Sequence, residues 1–274
     1  MSTSNRLVVE KTIKLYVGGR FIRSESGRVD RVRSSFSTNE IYVSRASRKD
    51  FRDAMEIARK AQAGWAGRTG YNRGQILYRL AEMIESRASA FPGETDRTQI
   101  AVDRAVHHAG WSDKISALLS TLNPVAAAYV NYSMIRPVGV VVAVPNPAEG
   151  LVGMVEAACA AAVMGNAVIV LVPSDQGELA AGLAEALATC DMPAGVVNVM
   201  TTDVPALLEW VNRHDDLDAL YLVEGAVDDD AITEAQRQAA RVMRRVVVVG
   251  SADQAAPPLT LQRLAEVKTV WMSS

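Results

Sequence analysis

The chain has 274 residues, of which 49% are hydrophobic and 22% charged, and its formal net charge is −2. This length suits one globular domain of generous size, or one domain with an appendage. The near-neutral charge argues against a nucleic-acid surface or a membrane-attracted patch, because either would carry an excess of cations. The basic stretch RVDRVR at 28–33 is interrupted by an acid and by valines, and it is interpreted as a solvated strand or turn edge.

The cysteines, histidines and first residues exclude further classes of protein. Two cysteines, Cys159 and Cys190, do not make the dense framework of a disulfide scaffold and favour a reducing compartment. The adjacent His107 and His108 would diverge by about 100° on a helix, so no metal site is expected. The N-terminal sequence lacks the apolar core of a signal peptide, and no apolar run reaches the roughly 18 residues of a membrane span. We therefore expect a soluble, cytoplasmic protein.

The N-terminal third predicts a hairpin followed by helices. Residues 15–29 read as a β-hairpin around the glycine pair of LYVGGRFI. Ser47 followed by Asp50 resembles a capping box, and apolar residues then recur at helical spacing. Two further helical patterns cover 72–91 and 96–118. These patterns predict an all-helical layer before the first buried strand.

From residue 138 the sequence changes to short, continuous, β-branched apolar runs, which are typical of strands buried on both faces of a parallel sheet. The runs cover residues 138–144, 167–172, 196–199, 219–223 and 246–249. Helical stretches separate them at 150–164, 175–189, 204–213 and 228–244. This alternation predicts a doubly wound parallel α/β domain with right-handed crossovers.

Two segments lie outside this domain. Residues 126–138 read as an extended arm that enters the first buried strand, and residues 264–274 end the chain as an isolated alternating strand. Alternation would place Val267, Thr269 and Trp271 on one face of that strand, and Lys268, Val270 and Met272 on the other. A short strand is not stable alone in water, so it must pair with the arm or with another chain.

The junctions after the first two strands are candidate ligand sites, because parallel sheets bind ligands at the carboxyl ends of their strands. After the first strand, Asn146 is the only amide side chain in the proline-stiffened segment PNPAEG. After the second come Pro173, Ser174 and Asp175. Ser174 is expected to be the N-cap of the next helix, and Asp175 would either favour the helix start or contact a ribose.

The junction after the fourth strand, EGAVDDDA, places three consecutive carboxylates at the start of a helix. They favour the helix dipole but repel the phosphate that the N–H groups there would otherwise bind. Its single glycine, Gly225, cannot form a GxGxxG pattern, so this junction argues against a pyrophosphate site. Neither thiol is expected to be a nucleophile. Cys159 lies inside a helix, and Cys190 lies at a helix C-terminus, where the dipole disfavours a thiolate.

Several of these stretches resemble the aldehyde dehydrogenase superfamily. LYVGGRFIRSESGRV resembles its N-terminal hairpin, and HHAGWSDKI resembles a stretch that many members carry. RPVGVVVAVPN, GNAVIVLVPSDQ and DMPAGVVNVM resemble strands of its NAD-binding domain, and AEVKTVW resembles its last strand. The resemblance implies a Rossmann-like NAD-binding domain over 1–125 and 138–250. It also implies a β-flap oligomerisation element over 126–137 and 264–274.

The resemblance further implies that residues 251–263 stand in place of a whole catalytic domain, which carries the family's nucleophilic cysteine. Thirteen residues can span roughly 45 Å but cannot form a domain. A gap-free alignment puts Ala148 at the family's catalytic Asn, and only a shift recovers Asn146. Val172 replaces a ribose-binding Lys, and Asp175 replaces a ribose-binding Glu. EGAVDDD replaces the turn that faces the pyrophosphate, and VVVVGS lacks the general-base Glu.

We therefore expect a non-catalytic subunit without a catalytic residue or a bound cofactor, similar to the non-catalytic second copy found in some long family members. It would assemble through its flap with itself or with a full-length aldehyde dehydrogenase. The expected interface residues are Tyr129, Asn131, Ser133, Val267, Thr269 and Trp271. The alternative is an NAD-binding component whose active site is completed in trans, with Pro173, Ser174 and Asp175 as its vestigial cofactor site. A simpler interpretation of the last strand is that it only covers a sheet edge.

Overall fold

The structure is a computed structural model that describes residues 11–35, 39–91, 95–251 and 255–273. Its strands are Thr12–Ile13 (β1), Leu15–Val17 (β2), Arg20–Ile22 (β3), Val29–Arg33 (β4), Glu40–Ser44 (β5), Thr121–Asn123 (β6), Tyr129–Pro137 (β7), Val140–Val144 (β8), Ala167–Pro173 (β9), Val197–Thr202 (β10), Ala219–Val223 (β11), Arg245–Val249 (β12) and Ala265–Ser273 (β13). Its α-helices are Arg48–Ala66 (α1), Gly70–Ser86 (α2), Thr95–Trp111 (α3), Ile115–Leu119 (α4), Gly150–Val163 (α5), Gly177–Leu187 (α6), Val204–Val211 (α7), Asp229–Val242 (α8) and Pro258–Gln262 (α9).

Seven strands form the main sheet in the order β12-β11-β8-β9-β10-β2-β3. The first five are parallel, whereas the predicted hairpin β2–β3 joins β10 in antiparallel fashion. The five apolar runs are therefore the five parallel strands, and the prediction of a doubly wound parallel sheet is confirmed. Along the sheet the strand order reverses between β8 and β11, which defines its topological switch point.

Helices cover both faces of this sheet and so explain why its strands read as continuous apolar runs. One core forms with α2, α3, α5 and α6, and the other forms mainly with α1, α7 and α8. Within β8, Val141 and Ala143 belong to the first core, and Val140, Val142 and Val144 belong to the second. Burying such a side chain contributes about 1.5–3 kcal/mol, which favours apolar residues at every position of the strand.

The layer before the first buried strand is not all-helical, contrary to the prediction. Strands β1, β5 and β4 form a small separate sheet, in which the stretch 28–33 supplies the mostly exposed strand β4, as interpreted.

The helix predicted over 96–118 divides into α3 and α4. The break lies where α2 packs closely, since a Cβ at Gly70 would stand 2.2 Å from the carbonyl oxygen of Ser112. The capping box of Ser47 and Asp50 at the start of α1 is confirmed.

A third sheet, with the order β13-β7-β6, contains the predicted arm and the final strand. Strands β7 and β13 pair in antiparallel register along nine residue pairs, from Ala265 opposite Pro137 to Ser273 opposite Tyr129. The expected pairing of the final strand with the arm is thus present in the structure. The sequence did not predict β6, the third strand of this sheet. The three-stranded sheet of β6, β7 and β13 is hereafter called the flap.

Residues 250–264 join β12 to β13, and part of the stretch predicted as a loop is the short helix α9. This connection lies against the sheet, because an Arg263 Nη1 donates to the carbonyl oxygen of Val248 at 3.0 Å. Buried Asn166 holds the base of the flap, where β7 ends and β13 begins. Its Nδ2 donates to the carbonyl oxygen of Leu264 at 2.9 Å, and its Oδ1 accepts from the N–H of Gly139 at 3.0 Å. Across the described ranges, no helix has the length and hydropathy to cross a membrane.

Candidate functional site

The switch point lies between the carboxyl ends of β8 and β11, where doubly wound sheets usually bind their ligands. Asn146 follows β8 there, and its Nδ2 donates to the carbonyl oxygen of Glu224, which follows β11, at 2.9 Å. The Oδ1 of the same side chain accepts from the N–H of Ala148 at 3.0 Å. The one amide side chain of this junction therefore bridges the two sides of the crevice instead of facing a ligand.

The second side of the crevice carries the predicted carboxylates. Asp228 caps α8 by accepting from the N–H of Ala231 at 2.7 Å, and Asp229 and Asp230 occupy the first helical turn. Gly225 has a φ of +80°, which favours glycine, and a Cβ there would stand 2.7 Å from the Asn146 Nδ2 and would displace the bridge. These residues do not fit the pyrophosphate of a dinucleotide, because the helix start is already capped and negatively charged.

Pro173, Ser174 and Asp175 lie where β9 ends, but Ser174 is not a helix cap, contrary to the prediction. Pro173 precedes a short 3-10 helix that has no side-chain cap, and the Ser174 hydroxyl donates to Asp30 of β4 at 2.6 Å. A carboxylate accepts a stronger hydrogen bond than a neutral partner, which accounts for this choice. Asp175 is exposed at the start of the 3-10 helix. The three residues stay together, with Ser174 tied to the small sheet.

Both thiols are buried, and burial keeps them protonated. Cys159 lies within α5, where burial and then the charge of Glu156 raise its pKa well above the ordinary value. Cys190 follows α6, and burial raises its pKa to about 11. Its Sγ lies 3.5 Å from the carbonyl oxygen of Leu187. Because the thiolate is the nucleophilic form of cysteine, neither residue has the environment of a catalytic thiol.

A buried charged cluster, which the sequence interpretation missed, connects α3 with α5. Glu156 Oε1 lies 2.9 Å from His108 Nε2 and accepts from the N–H of Ala256 at 3.0 Å, while Arg104 Nε lies 3.9 Å from Oε2. Burial alone would raise the pKa of Glu156, but His108, the Ala256 N–H and Arg104 together lower it. Glu156 is therefore ionised, so His108 donates from Nε2. The cluster fastens the connection after β12 to the core.

Beside this cluster lies a cavity of about 350 Å³ above the carboxyl ends of β11 and β12, bordered by Glu156, Tyr221 and the connection. Burial and the charge of Glu156 raise the pKa of Tyr221, so its phenol stays protonated.

One signal in the sequence could have revealed the cluster: Glu156 is the single charged residue of the apolar helix α5. In the described part of the chain, no three His, Cys, Asp or Glu side chains are grouped for a metal ion.

The flap brings the six expected interface residues onto one face, as the register between β7 and β13 requires. The hydroxyls of Ser133 and Thr269 lie 2.8 Å apart, and the rings of Tyr129 and Trp271 make an edge contact at 6.2 Å. Asn131, however, is buried, and its Oδ1 accepts from Asn123 of β6 at 2.6 Å. It therefore supports the sheet from within, whereas the aromatic pair faces solvent.

Among the described residues, no strand pairs with the outer side of β13, because β13 is the edge of the flap. Three of its apolar side chains are exposed, with 61% of Trp271, 52% of Val267 and 48% of Met272 accessible to solvent. On the opposite edge, Leu122 of β6 is 76% exposed. Lys268 and Glu266 are the only charged residues of β13. An edge strand with exposed apolar side chains is a template for pairing with another chain.

The chain is similar to known proteins in sequence and in structure. The model of the aldehyde dehydrogenase family matches residues 21–254. The chain is 30% identical over 240 residues to DhaS of Bacillus subtilis (strain 168), named as an aldehyde dehydrogenase, covering 80% of this chain and 48% of DhaS. It is 24% identical over 237 residues to alpha-ketoglutaric semialdehyde dehydrogenase of the same organism, covering 77% and 46%. The chain thus spans about half the length of the curated relatives it matches.

Solved structures show the same fold. A mutant of aldehyde dehydrogenase from Bacillus cereus superposes with a TM-score of 0.79 at 23% identity, over 88% of this chain and 51% of that chain. The NAD⁺ complex of aldehyde dehydrogenase from the same organism gives 0.77 at 22% identity, over 88% and 51%. A 3,6-anhydro-L-galactose dehydrogenase in complex with NAP gives 0.78 at 21%, over 87% and 52%. At these identities the superpositions establish the fold alone.

Proposed function

Since the chain belongs to the aldehyde dehydrogenase family, we propose that it is a non-catalytic member that assembles through its flap, with a second copy of itself or with a full-length aldehyde dehydrogenase. The observation that carries this proposal is the unpaired edge of β13 with its exposed apolar side chains. The proposed assembly would use the described flap and would not require a bound ligand.

The absence of catalysis is argued from the thiols and from the connection. The sequence contains only two cysteines, and burial raises the pKa of both. Fifteen residues, 250–264, separate β12 from β13, and part of them is held against the sheet. An acyl-enzyme mechanism requires a thiolate, an oxyanion donor and a base in one place. Neither the thiols nor this connection supplies that combination.

Assembly through β13 is argued from its backbone and its side chains. A second strand placed along β13 would satisfy N–H and C=O groups that otherwise bond only to water. It would also cover Val267 and Trp271, each contributing about 1 kcal/mol because roughly half of each side chain is already buried. Two copies that each offer the same edge satisfy the requirement of a twofold interface.

The alternative is an NAD-binding component whose active site is completed by another chain. One observation favours it: the strand order places a switch point where dinucleotides bind in sheets of this type. The Asn146 bridge and the Asp228 cap stand against it, since a dinucleotide would have to bind without that helix start. Isothermal titration with NAD decides between them: saturable heat at millimolar NAD favours the alternative, and no heat removes it.

The assembly is tested by light scattering after size exclusion, alone and mixed with a tagged full-length aldehyde dehydrogenase of the same organism. Wild type is expected as a dimer or larger species, or in complex with the full-length enzyme. Trp271→Lys and Val267→Lys should abolish this assembly. Tyr78→Lys is the matched control, because Tyr78 is an equally exposed aromatic residue on α2. A monodisperse monomer that does not bind the full-length enzyme would refute the proposal.

A further inference from the structure

A second cavity, of about 190 Å³, lies at the base of the flap between the start of α2, the end of α5 and the end of β7. Three arginines border it, Arg68, Arg73 and Arg136, together with the hydroxyl-bearing Ser116. No acidic side chain is among its described lining residues. Three positive charges therefore surround one small cavity without an anion in its wall.

The position of two of these arginines opposes the dipole of α2. Arg68 directly precedes the N-cap Thr69, Arg73 is the fourth residue of the helix, and the first turn contains no acid. The N-terminus of a 17-residue helix carries a partial positive charge, so cations there are unfavourable and anions are favourable. An anion between the charges would stabilise such an arrangement.

The hydrogen-bond partners of Arg68 and Arg73 are neutral. Arg73 donates from Nε to the carbonyl oxygen of Val163 at 3.2 Å and from Nη1 to that of Arg68 at 2.6 Å. Arg68 donates to the Asn72 Oδ1 at 2.7 Å. Burial lowers the pKa of Arg73, as expected for a cation held away from water without a counter-ion.

Arg136 lies on the exposed side of the cavity, at the end of β7. It stands opposite Glu266 in the register of the flap. Among the ion pairs of the described residues, none closer than 4.0 Å involves Arg68, Arg73 or Arg136. A guanidinium has five N–H donors, so each of the three retains several for another partner.

We propose that this cavity binds a tetrahedral oxyanion, either inorganic phosphate or the phosphate group of a small metabolite. Arginine pairs with phosphate through two parallel hydrogen bonds, and three guanidinium groups can surround its oxygens. Thr69 satisfies the N–H groups of Asn72 and Arg73, while helix geometry leaves the first two N–H groups of α2 without an intrahelical acceptor. The volume accommodates one phosphate with several waters, at roughly 30 Å³ for each water.

The experiment is isothermal titration of the full chain with sodium phosphate, against sodium chloride at matched ionic strength. Wild type is expected to bind phosphate with a saturable heat. Arg68→Gln and Arg136→Gln, both exposed and therefore safe for folding, should each weaken binding by about tenfold or more through loss of a charge-assisted hydrogen bond. Arg20→Gln on β3, another exposed arginine, should bind as wild type does.

Two further measurements complete the test. Circular dichroism melting without phosphate checks that the variants fold as wild type does. Titration with glycerol phosphate identifies the source of the anion: tighter binding than phosphate indicates a metabolite, and weaker binding indicates the free ion. The proposal is overturned if phosphate gives no more heat than chloride, if Arg68→Gln and Arg136→Gln bind as wild type does, or if Arg20→Gln loses binding equally.

Discussion

Glu156→Gln removes the charge of the buried cluster while keeping the size and shape of the side chain. The carboxylate accepts from His108 and from the Ala256 N–H, and it lies near Arg104. A hydrogen bond to a charged group contributes about 1.5–3 kcal/mol, and removing one partner of a buried pair costs about 3–5 kcal/mol. Because the amide oxygen can still accept one of the two bonds, we expect a loss of about 2–4 kcal/mol at neutral pH.

Thermal unfolding followed by circular dichroism measures this loss. For a chain of this size, 1 kcal/mol shifts the midpoint by about 2–4 °C, so Glu156→Gln should melt roughly 5–15 °C below wild type. Glu185→Gln, on the exposed side of α6, is the matched control and should change the midpoint by no more than about 2 °C. The comparison separates the buried carboxylate from a general effect of charge removal on a helix.

The pH dependence gives a second, independent readout. Glu156 has a lowered pKa in the folded state, so its stabilising effect is present above its ordinary pKa of 4.5 and is lost as the pH falls through the folded value. The pKa of His107 is also lowered, by burial and then by His108, so its effect is lost as the pH falls below 6.5. The gap between wild type and Glu156→Gln should therefore be constant above about pH 6 and should shrink below about pH 4.5. Equal midpoints for Glu156→Gln and wild type at neutral pH would refute a stabilising role for the ionised Glu156 carboxylate.

Two further predictions concern the crevice and the thiols. Gly225→Ala should lower the melting midpoint more than Gly27→Ala does. Both glycines have positive φ values, but only at Gly225 would a Cβ stand 2.7 Å from Asn146. Equal losses would show that backbone strain alone matters. In the native state at pH 8, neither Cys159 nor Cys190 should react with a thiol reagent, whereas both should react in guanidinium. The absorbance of the released reagent measures the reaction, and labelling of either thiol in the native state would contradict its burial.

The sequence predicts the main sheet well because its signal is local. Each parallel strand is buried on both faces, so it appears as a continuous apolar run that needs no knowledge of its neighbours. The flap is predicted by a different kind of reasoning, since an alternating strand that cannot stand alone must find a partner. The alternation left the arm or another chain as that partner, and the resemblance to aldehyde dehydrogenases implied the arm, which is β7 in the structure.

The parts that were not predicted depend on contacts between distant residues. Strands β1 and β5 are short strands of a small sheet, and the sequence interpretation assigned no element to either of them. Ser174 looks like a cap until Asp30, 144 residues away, is brought beside it. Glu156 and His108 are 48 residues apart, and only the packing of α3 on α5 joins them. Such pairs require tertiary structure, because no local spacing encodes them.

Asn166 contacts the chain both where β7 ends and where β13 begins. Substituting this residue therefore tests whether the core holds the flap in place. Its side chain makes three hydrogen bonds, to Gly139, Leu264 and the carbonyl oxygen of Ala161. Asn198 offers a comparison within the same sheet, because it is equally buried and also makes three. Those bonds reach Gly18 in the β2–β3 turn, Val168 in β9 and Gly195, none of which belongs to the flap.

Asn166→Ala and Asn198→Ala should destabilise the chain by similar amounts, about 3 kcal/mol each, because each leaves three buried backbone groups without their partner. Only Asn166→Ala should also speed hydrogen exchange in β13, measured by mass spectrometry under conditions where both variants stay folded. If assembly uses the flap, the same variant should weaken it, whereas Asn198→Ala should not. Equal exchange in β13 for both variants would mean that the flap is held by its own ladder with β7, and that Asn166 contributes only to the core.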